Sequence, residues 1–222
     1  MKIVKILIPI KEKSERCPDK NKELIEYTLS YLNKVKKAYP ELVLDTTIIT
    51  DTIDMYKYLL SLPYKIDIYV EKDRNKHGSE LNSIYNYLKF NPTIDKFIWL
   101  NVTNPCREVS LIQKALEVPI HYFDLITSFT TVQDRTIFEI EDHKSFKIKN
   151  INRLGSACIT KRITDGAIYY TTKEFTKKCV ESLDPNKTFW NSRNFFIYND
   201  APLVDIDYPE DLERFKTFYV KQ

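Results

Sequence analysis

The chain has 222 residues, which is enough for one substantial hydrophobic core but not comfortably for two full domains. Its 34 basic and 31 acidic residues are spread along the sequence and leave a net charge of +3, so no basic stripe indicates a nucleic-acid or membrane partner. The three glycines are isolated from one another, which excludes a Walker-type loop and a dinucleotide-binding fingerprint. The four cysteines form no C-x-x-C pair, which argues against zinc, iron-sulfur and redox dithiol sites. No apolar run is long enough for a signal peptide core or a membrane span, and we therefore expect a cytoplasmic protein.

The first half of the chain alternates strand-like and helix-like segments. The predicted strands are residues 3–8, 45–50, 65–70 and 96–101, and the predicted helices are residues 23–38, 52–61, 79–91 and 107–117. The fourth strand is continuously apolar from Phe97 to Leu100, which is typical of a central strand covered on both faces. This alternation predicts an α/β fold, a three-layer αβα sandwich with a mostly parallel sheet.

The pattern changes near Asp124. Residues 124–165 contain short strand-like stretches at 125–131, 137–140 and 146–148, without a helix signal between them. We interpret this region as a small β-rich excursion within one domain spanning residues 1–222; a lid, a substrate platform and a dimer contact remain open as its role. Beyond it the predicted strands are 167–170, 195–198 and 202–206, and the predicted helices are 173–182 and 210–218.

A basic loop follows the first strand. Pro9 cannot donate a ladder hydrogen bond, so the strand ends there and the loop opens at its carboxyl end, where open α/β sheets bind ligands. The loop carries five cationic side chains, Lys11, Lys13, Arg16, Lys20 and Lys22. Such side chains suit phosphate oxygens, and the loop therefore predicts a nucleotide triphosphate site. A solvated loop is the alternative, because acidic residues are interleaved with the basic ones.

Asp205 and Asp207 are the best candidates for metal ligands. Their spacing at the end of a predicted strand puts both carboxylates on one face, where hard oxygen ligands can share Mg²⁺. Asp207 has a second interpretation as a helix cap, because Pro209 and Glu210 follow it at the appropriate spacing. Asp205 has no such alternative.

Both features belong to longer patterns. Positions 8–21 read I-P-I-K-E-K-S-E-R-C-P-D-K-N, and positions 205–212 read D-I-D-Y-P-E-D-L. They resemble the signature I-P-A-R-G-G-S-K-R-x-P-x-K-N and the segment D-I-D-x-x-E-D-L of the cytidylyltransferases that activate sialic acid and Kdo. Lys11 takes the family's arginine position, whereas Glu12 and Lys13 stand where the family has a pair of glycines. Glycines let a backbone approach phosphates closely, so some backbone donors are expected to be replaced by side chains or lost.

Three shorter stretches resemble the same family in the expected order. Positions 100–107 resemble L-Q-P-T-S-P-L-R, positions 165–169 resemble N-G-A-I-Y, and Asp51 ends a stretch resembling S-T-D. Taken alone, residues 103–105 are equally typical of a helix start, and Asp51 of a helix N-cap. The family's nucleotide-contacting segment after the third strand is poorly matched, although Lys72 supplies charge there.

The resemblance implies an enzyme that uses CTP and Mg²⁺ to activate an acidic, ulosonic-type sugar as a CMP conjugate, releasing pyrophosphate, in surface polysaccharide biosynthesis. It also implies a homodimer, and no separate general base is evident. The implied catalytic residues are Lys11, Arg16, Lys20 and Asp207, and the implied metal ligands are Asp205 and Asp207. The implied nucleotide-binding residues are Pro9, Lys11, Ser14, Arg16, Lys20, Asn21 and Lys72. The implied substrate-binding residues are Asn101, Thr103, Arg107, Lys161, Arg162 and Asp165.

Two other functions remain open. The Asp-x-Asp pair also occurs in nucleotide-sugar glycosyltransferases, although there it usually lies mid-chain with an acceptor domain behind it, and few residues follow Asp207 here. A degenerate nucleotide-binding or regulatory protein on the same fold is the other, and the missing glycine pair favours it.

Overall fold

The computed structural model describes residues 2–71, 79–134, 136–142, 147–153 and 159–217, and the side chains of those residues outside 132–161. In the first half, the elements are β1 Lys2–Pro9, α1 Lys20–Ala38, β2 Leu42–Thr50, α2 Ile53–Ser61, β3 Asp67–Val70, α3 Glu80–Phe90, β4 Lys96–Trp99 and α4 Leu111–Glu117. In the second half, they are β5 Leu125–Asp134, β6 Thr136–Asp142, β7 Lys147–Arg153, β8 Ile159–Thr172, α5 Lys173–Val180, α6 Pro185–Trp190, β9 Asn194–Tyr198 and α7 Pro209–Phe215. A short 3₁₀ helix, Ile120–Tyr122, follows α4.

Seven strands form the main sheet, in the order β3-β2-β1-β4-β8-β5-β9. The strands β1 to β4 are mutually parallel where they pair, and β9 is parallel to β5. Only β8 runs against its neighbours, since it is antiparallel to both β4 and β5. The predicted mostly parallel sheet is confirmed.

Helices cover both faces of the sheet. One buried cluster joins the apolar sides of α1, α2, α4 and α7 to one face, with Leu24, Met55 and Leu111 among its members. The other cluster joins α3, α5 and α6 to the opposite face and includes Leu81 and Phe175. The central β1 alternates between the clusters along its length, as a strand buried on both sides must. This is the predicted three-layer αβα sandwich.

The β-rich region has two parts. The strands β5 and β8 extend beyond the main sheet and pair with each other from Phe129 to Asp134, after a register shift between Thr127 and Phe129. The strands β6 and β7 form a separate two-stranded antiparallel sheet. The strands are longer than predicted, and residue 146 of the third predicted strand lies outside the described residues. The role of the region stays a prediction.

One predicted strand is wrong. Residues 202–206 are not a strand; the backbone of this segment makes a hydrogen bond from Ile206 N–H to the carbonyl of Thr103 at 2.9 Å instead of a continuous ladder. Helix α6 was not predicted, although Asp184 accepts a hydrogen bond from Lys187 N–H and Pro185 occupies the first turn, a usual way to begin a helix. Within the described residues, no helix is long and apolar enough to cross a membrane.

Candidate active site

A cleft of about 800 Å³ opens at the carboxyl ends of β1, β2 and β4. Its walls are residues 9–16 with Lys20 and Asn21, residues 51–52, Glu80, residues 101–103, and Asp207. The strand β1 has β2 on one side and β4 on the other, so the chain changes its winding direction at this point of the sheet. Ligands of open α/β sheets bind at such a switch point, outside the carboxyl ends of the strands. The basic loop therefore lies where the sequence predicted a ligand site.

Two cations of the loop meet one carboxylate. Nη2 of Arg16 donates to Oδ1 of Asp207 at 2.9 Å, and Nζ of Lys20 lies 3.4 Å from the same oxygen. Nζ of Lys20 also donates to the carbonyl of Ile206 at 2.5 Å. The side chain of Lys20 is only 6% exposed, whereas that of Arg16 is 53% exposed. Lys20 is thus a fixed buried charge at the base of the cleft, and Arg16 is an accessible one at its edge.

Asp207 is not a helix cap. The N-cap of α7 is Tyr208, and Oδ2 of Asp211 accepts hydrogen bonds from the backbone N–H groups of Asp207 and Tyr208 at 3.1 and 3.0 Å. Asp211 therefore satisfies the helix start, and the carboxylate of Asp207 is left to face the basic loop. Of its two interpretations, the structure favours the one as a functional group.

Asp205 directly precedes buried Ile206 in the segment that ends at Asp207. Burial raises the pKa of the Asp205 carboxyl above its usual range; the charge of Asp207 raises it further, and Lys20 opposes the shift. Asp205 does not line the cleft itself. The Ile206 N–H bond to Thr103 fixes the segment that carries both carboxylates against the loop after β4.

The two carboxylates fit a divalent cation. Hard oxygen ligands suit Mg²⁺, which needs only one or two carboxylates together with substrate phosphates and water. The mutual repulsion of Asp205 and Asp207 is the interaction that a bound cation would relieve. No group of three or more potential metal-binding side chains occurs among the described residues, so the pair would rely on ligands from the substrate.

The backbone of the basic loop is tied to the sheet. The N–H groups of Ile10 and Glu12 donate to the carbonyl of Ile49 and to Oδ1 of Asp51, both at 2.8 Å. Nδ2 of Asn21 donates to the carbonyl of Lys11 at 2.7 Å, which joins the loop to the first turn of α1. Asp51 therefore holds the loop and is not a helix cap; Thr52 caps α2.

Three solved structures share this architecture over nearly the whole chain. CMP:2-keto-3-deoxy-manno-octonic acid synthetase complexed with CTP has a TM-score of 0.65 at 16% identity, covering 100% of this chain and 99% of that one. The 4-diphosphocytidyl-2C-methyl-D-erythritol synthase from Anaerococcus prevotii has a TM-score of 0.61 at 15% identity, covering 100% and 99%. HddC from Yersinia pseudotuberculosis complexed with GMP-PN has a TM-score of 0.56 at 22% identity, covering 96% and 97%. The chain has the nucleotide-diphospho-sugar transferase fold.

At these identities the likeness establishes the fold alone. No family model and no curated protein matches the sequence. The roles of individual residues in this transferase fold therefore have to be argued from their positions.

Most of the predicted nucleotide-binding residues line the cleft. They are Pro9, Lys11, Ser14, Arg16, Lys20 and Asn21, and the predicted substrate-binding residues Asn101 and Thr103 line the same cleft. Lys72 lies outside the described residues, as does the side chain of Lys161. Arg162 is exposed on β8 with its guanidinium 5.8 Å from the ring centre of Phe129, away from the cleft lining.

Arg107 takes a different position from the predicted one. Its guanidinium is buried and donates to the carbonyls of Asn101 and of Ala167, the latter at 2.7 Å, and to Thr28 Oγ1 at 3.4 Å. Burial lowers the pKa of Arg107 to about 10. Because its donors are directed to internal acceptors, the geometry does not support a direct substrate contact. It supports a role in holding the loop that carries Asn101.

Asp165 is also turned inward. Its carboxylate is buried and accepts hydrogen bonds from Ser128 Oγ, from Ala167 N–H at 3.1 Å and from Nδ2 of Asn199 at 2.7 Å. Asn199 in turn accepts from Glu108 N–H at 3.1 Å, so the network reaches the loop after β4. Asp165 therefore supports one wall of the cleft from behind and does not line it.

Several residues of the site were not predicted. Thr52, Glu80 and Val102 line the cleft, and Asn199 supports it. The positions of Thr52 and Asn199 directly after strands β2 and β9 are a signal that sequence reasoning could have used. Glu80 at the first turn of α3 has no comparable signal, because acidic residues are common there for their effect on the helix dipole.

Proposed function

We propose that the chain is a nucleotidyltransferase that uses CTP to activate a hydroxylated, acidic sugar as a CMP conjugate. The observation that carries the proposal is the convergence of Arg16, Lys20 and Asp207 in one cleft at the carboxyl edge of the sheet. Transfer of a phosphoryl-type group is catalysed mostly by positioning and by charge stabilisation. It requires cationic side chains that bind the triphosphate and a carboxylate that binds the metal cation accompanying it. CTP is favoured because one structure of this fold is a CMP-sugar synthetase complexed with CTP.

The reaction is a single displacement at the α-phosphorus. A substrate hydroxyl forms the new P–O bond as the bond between the α-phosphorus and the bridging oxygen breaks; pyrophosphate leaves with the electron pair, and the hydroxyl proton passes to water. Lys20, held by the carbonyl of Ile206 and the carboxylate of Asp207, stabilises charge that grows on the phosphate oxygens, and Arg16 assists from the cleft edge. Asp205 and Asp207 would hold Mg²⁺, which would supply Lewis-acid stabilisation of the triphosphate charge and would lower the pKa of the attacking hydroxyl.

The wall formed by residues 101–103 belongs to the same cleft as the basic loop and is the proposed site of the acceptor sugar. Arg107 holds the carbonyl of Asn101 from behind, which fixes this wall. An ordered wall reduces the entropy lost when the hydroxyl is brought in line with the α-phosphorus.

Pyrophosphate release with each of the four ribonucleoside triphosphates, against a panel of ulosonic acids and simple phosphorylated alcohols, tests the proposal. We expect release with CTP and an acidic sugar, together with a CMP conjugate detected by mass spectrometry. Release with GTP in preference to CTP would contradict the choice of nucleotide, which matters because HddC of the same fold was solved with GMP-PN. No release with any pair would contradict the enzyme activity.

A degenerate nucleotide-binding protein is the second candidate. The observation that favours it is the Glu12 N–H, which is directed to Asp51 and is therefore not available to a phosphate. Tight CTP binding by calorimetry without turnover against the full substrate panel would select this candidate over the enzyme.

A further inference from the structure

The basic side chains of the loop differ in how they are used. Arg16 and Lys20 are both directed to Asp207. Lys22 lies 3.6 Å from Oε1 of Glu12. Each of these three cations has a carboxylate partner within the protein, so a ligand phosphate must compete with that carboxylate for it.

Every second backbone N–H group from residue 10 to residue 14 donates a hydrogen bond within the protein. The N–H groups of Ile10, Glu12 and Ser14 donate to Ile49, Asp51 and Pro18, with the Ser14 bond at 3.5 Å. An anion-binding backbone concavity needs successive N–H groups that point to the same ligand. These three positions therefore offer no backbone N–H to a phosphate, and side chains are the alternative donors there.

Lys13 differs from these groups. It is exposed and lines the cleft, and among the described residues it makes no hydrogen bond or ion pair. Its ammonium group is a compact point charge on a flexible stem, which reaches phosphate oxygens without a fixed geometry. Binding through Lys13 breaks no internal ion pair, in contrast to binding through Arg16 or Lys20.

We propose that Lys13 is a polyphosphate-binding residue of this cleft and supplies by its side chain the contact that the loop backbone does not. The inference deepens the proposed nucleotide site and rests on it. Lys13 would contribute to the affinity for the phosphate chain and would not contribute to the selection of the base.

The test measures binding of CTP and of inorganic tripolyphosphate, each with Mg²⁺, to the full chain by calorimetry. Lys13→Gln removes the charge and keeps the backbone, and Lys34→Gln on the exposed side of α1 removes an equal charge far from the cleft. We expect Lys13→Gln to weaken both ligands by the same factor, about tenfold, as for one charged hydrogen bond. Lys34→Gln should bind both as the wild type does.

Lys13→Gly separates side chain from backbone. If the side chain carries the contact, this variant loses as much affinity as Lys13→Gln; if it binds tripolyphosphate as tightly as the wild type or more tightly, the inference is overturned. Unchanged tripolyphosphate binding by Lys13→Gln would overturn it as well. The thermal unfolding midpoint of Lys13→Gln should match that of the wild type, because Lys13 makes no hydrogen bond or ion pair within the part of the chain that the structure describes.

Comparing tripolyphosphate with CTP separates the role of Lys13 from the choice of nucleotide. Wild-type protein that binds tripolyphosphate but not CTP contradicts the choice of CTP, and loss of tripolyphosphate binding in Lys13→Gln would still support the role of Lys13. Wild-type protein that binds neither ligand contradicts both.

Discussion

Arg16 and Asp207 join the loop after β1 to the segment before α7 across 191 positions of sequence. The guanidinium of Arg16 also lies 5.3 Å from the ring centre of Tyr208. Hydrogen bonding with Tyr208 and the charge of Asp207 raise the pKa of Arg16. A phosphate and the carboxylate of Asp207 both present anionic oxygens that accept hydrogen bonds from the Arg16 guanidinium. The contact between Arg16 and Asp207 is therefore the one that a polyphosphate would replace.

Lys20 should contribute to stability as well as to binding. Lys20→Met leaves the carbonyl of Ile206 and the carboxylate of Asp207 without this donor in a largely buried site, which costs about 1–3 kcal/mol in the free energy of unfolding. Urea unfolding measures the loss. Arg16→Met is the matched control and should leave the urea midpoint nearly unchanged, because the ion pair of Arg16 is exposed. Equal losses in the two variants would contradict the difference in burial.

Arg107 should matter mainly for the fold. Arg107→Leu removes the donor to three internal acceptors, and we expect a loss of about 3–5 kcal/mol, the range for breaking a buried charged network. Chemical denaturation monitored by circular dichroism checks this. Arg162→Leu, on the exposed β8 surface, should unfold as the wild type does; a stable Arg107→Leu protein with lost substrate affinity would instead favour the predicted substrate contact.

Gly166 has a positive φ of 66°, and a Cβ at this position would lie 3.0 Å from Oδ1 of Asn104. Gly166→Ala should therefore cost about 1–2 kcal/mol in unfolding free energy from the backbone conformation, with the contact to Asn104 added. A double-mutant cycle with Asn104→Ala separates the two contributions. The alanine should cost less in the Asn104→Ala background, and an unchanged cost would show that the contact contributes nothing.

The pair of Asp124 and Arg193 should make stability depend on pH at the acidic end. Hydrogen bonding from Arg193 lowers the pKa of the Asp124 carboxyl below its usual value of 3.8. A lowered folded-state pKa means that the contribution is fully present above the unfolded-state value and is lost as the pH falls through the folded-state value.

Asp124→Asn should consequently lower the urea midpoint at pH 7, and the difference from the wild type should shrink as the pH falls below 3.8. Urea titrations across pH 2 to 7 measure this. A difference that is constant across that range would show that the charge of Asp124 has no part in it.

Local sequence patterns predicted most of the elements and the position of the basic loop, because apolar periodicity and Pro9 act over a few residues. They did not predict that Arg107 and Asp165 turn inward. That outcome depends on acceptors such as Ala167 and Asn199, which only the folded sheet brings near. The wrong strand at 202–206 has the same cause. An apolar stretch forms a strand only where a neighbouring strand completes the ladder, and the N–H of Ile206 bonds to Thr103 in a loop instead.

The role of Asp207 in the cleft also depends on contacts with residues that are distant in sequence. Its sequence context favoured a helix cap as much as a ligand. Asp211 satisfies the helix start instead, and the cationic partner of Asp207, Arg16, lies at the other end of the chain. The sequence shows which residues have reactive or charged side chains. It does not show which residues they contact, because those partners lie far away along the chain.

The most direct test of the account is pyrophosphate release from CTP by Asp205→Asn. If Asp205 holds the cation that the reaction needs, turnover with an accepted acidic sugar should fall on the order of 100-fold or more, with little change in unfolding free energy. Asp67→Asn, an exposed carboxylate at the start of β3, is the matched control and should retain the wild-type rate. A rate near that of the wild type in Asp205→Asn would contradict the account.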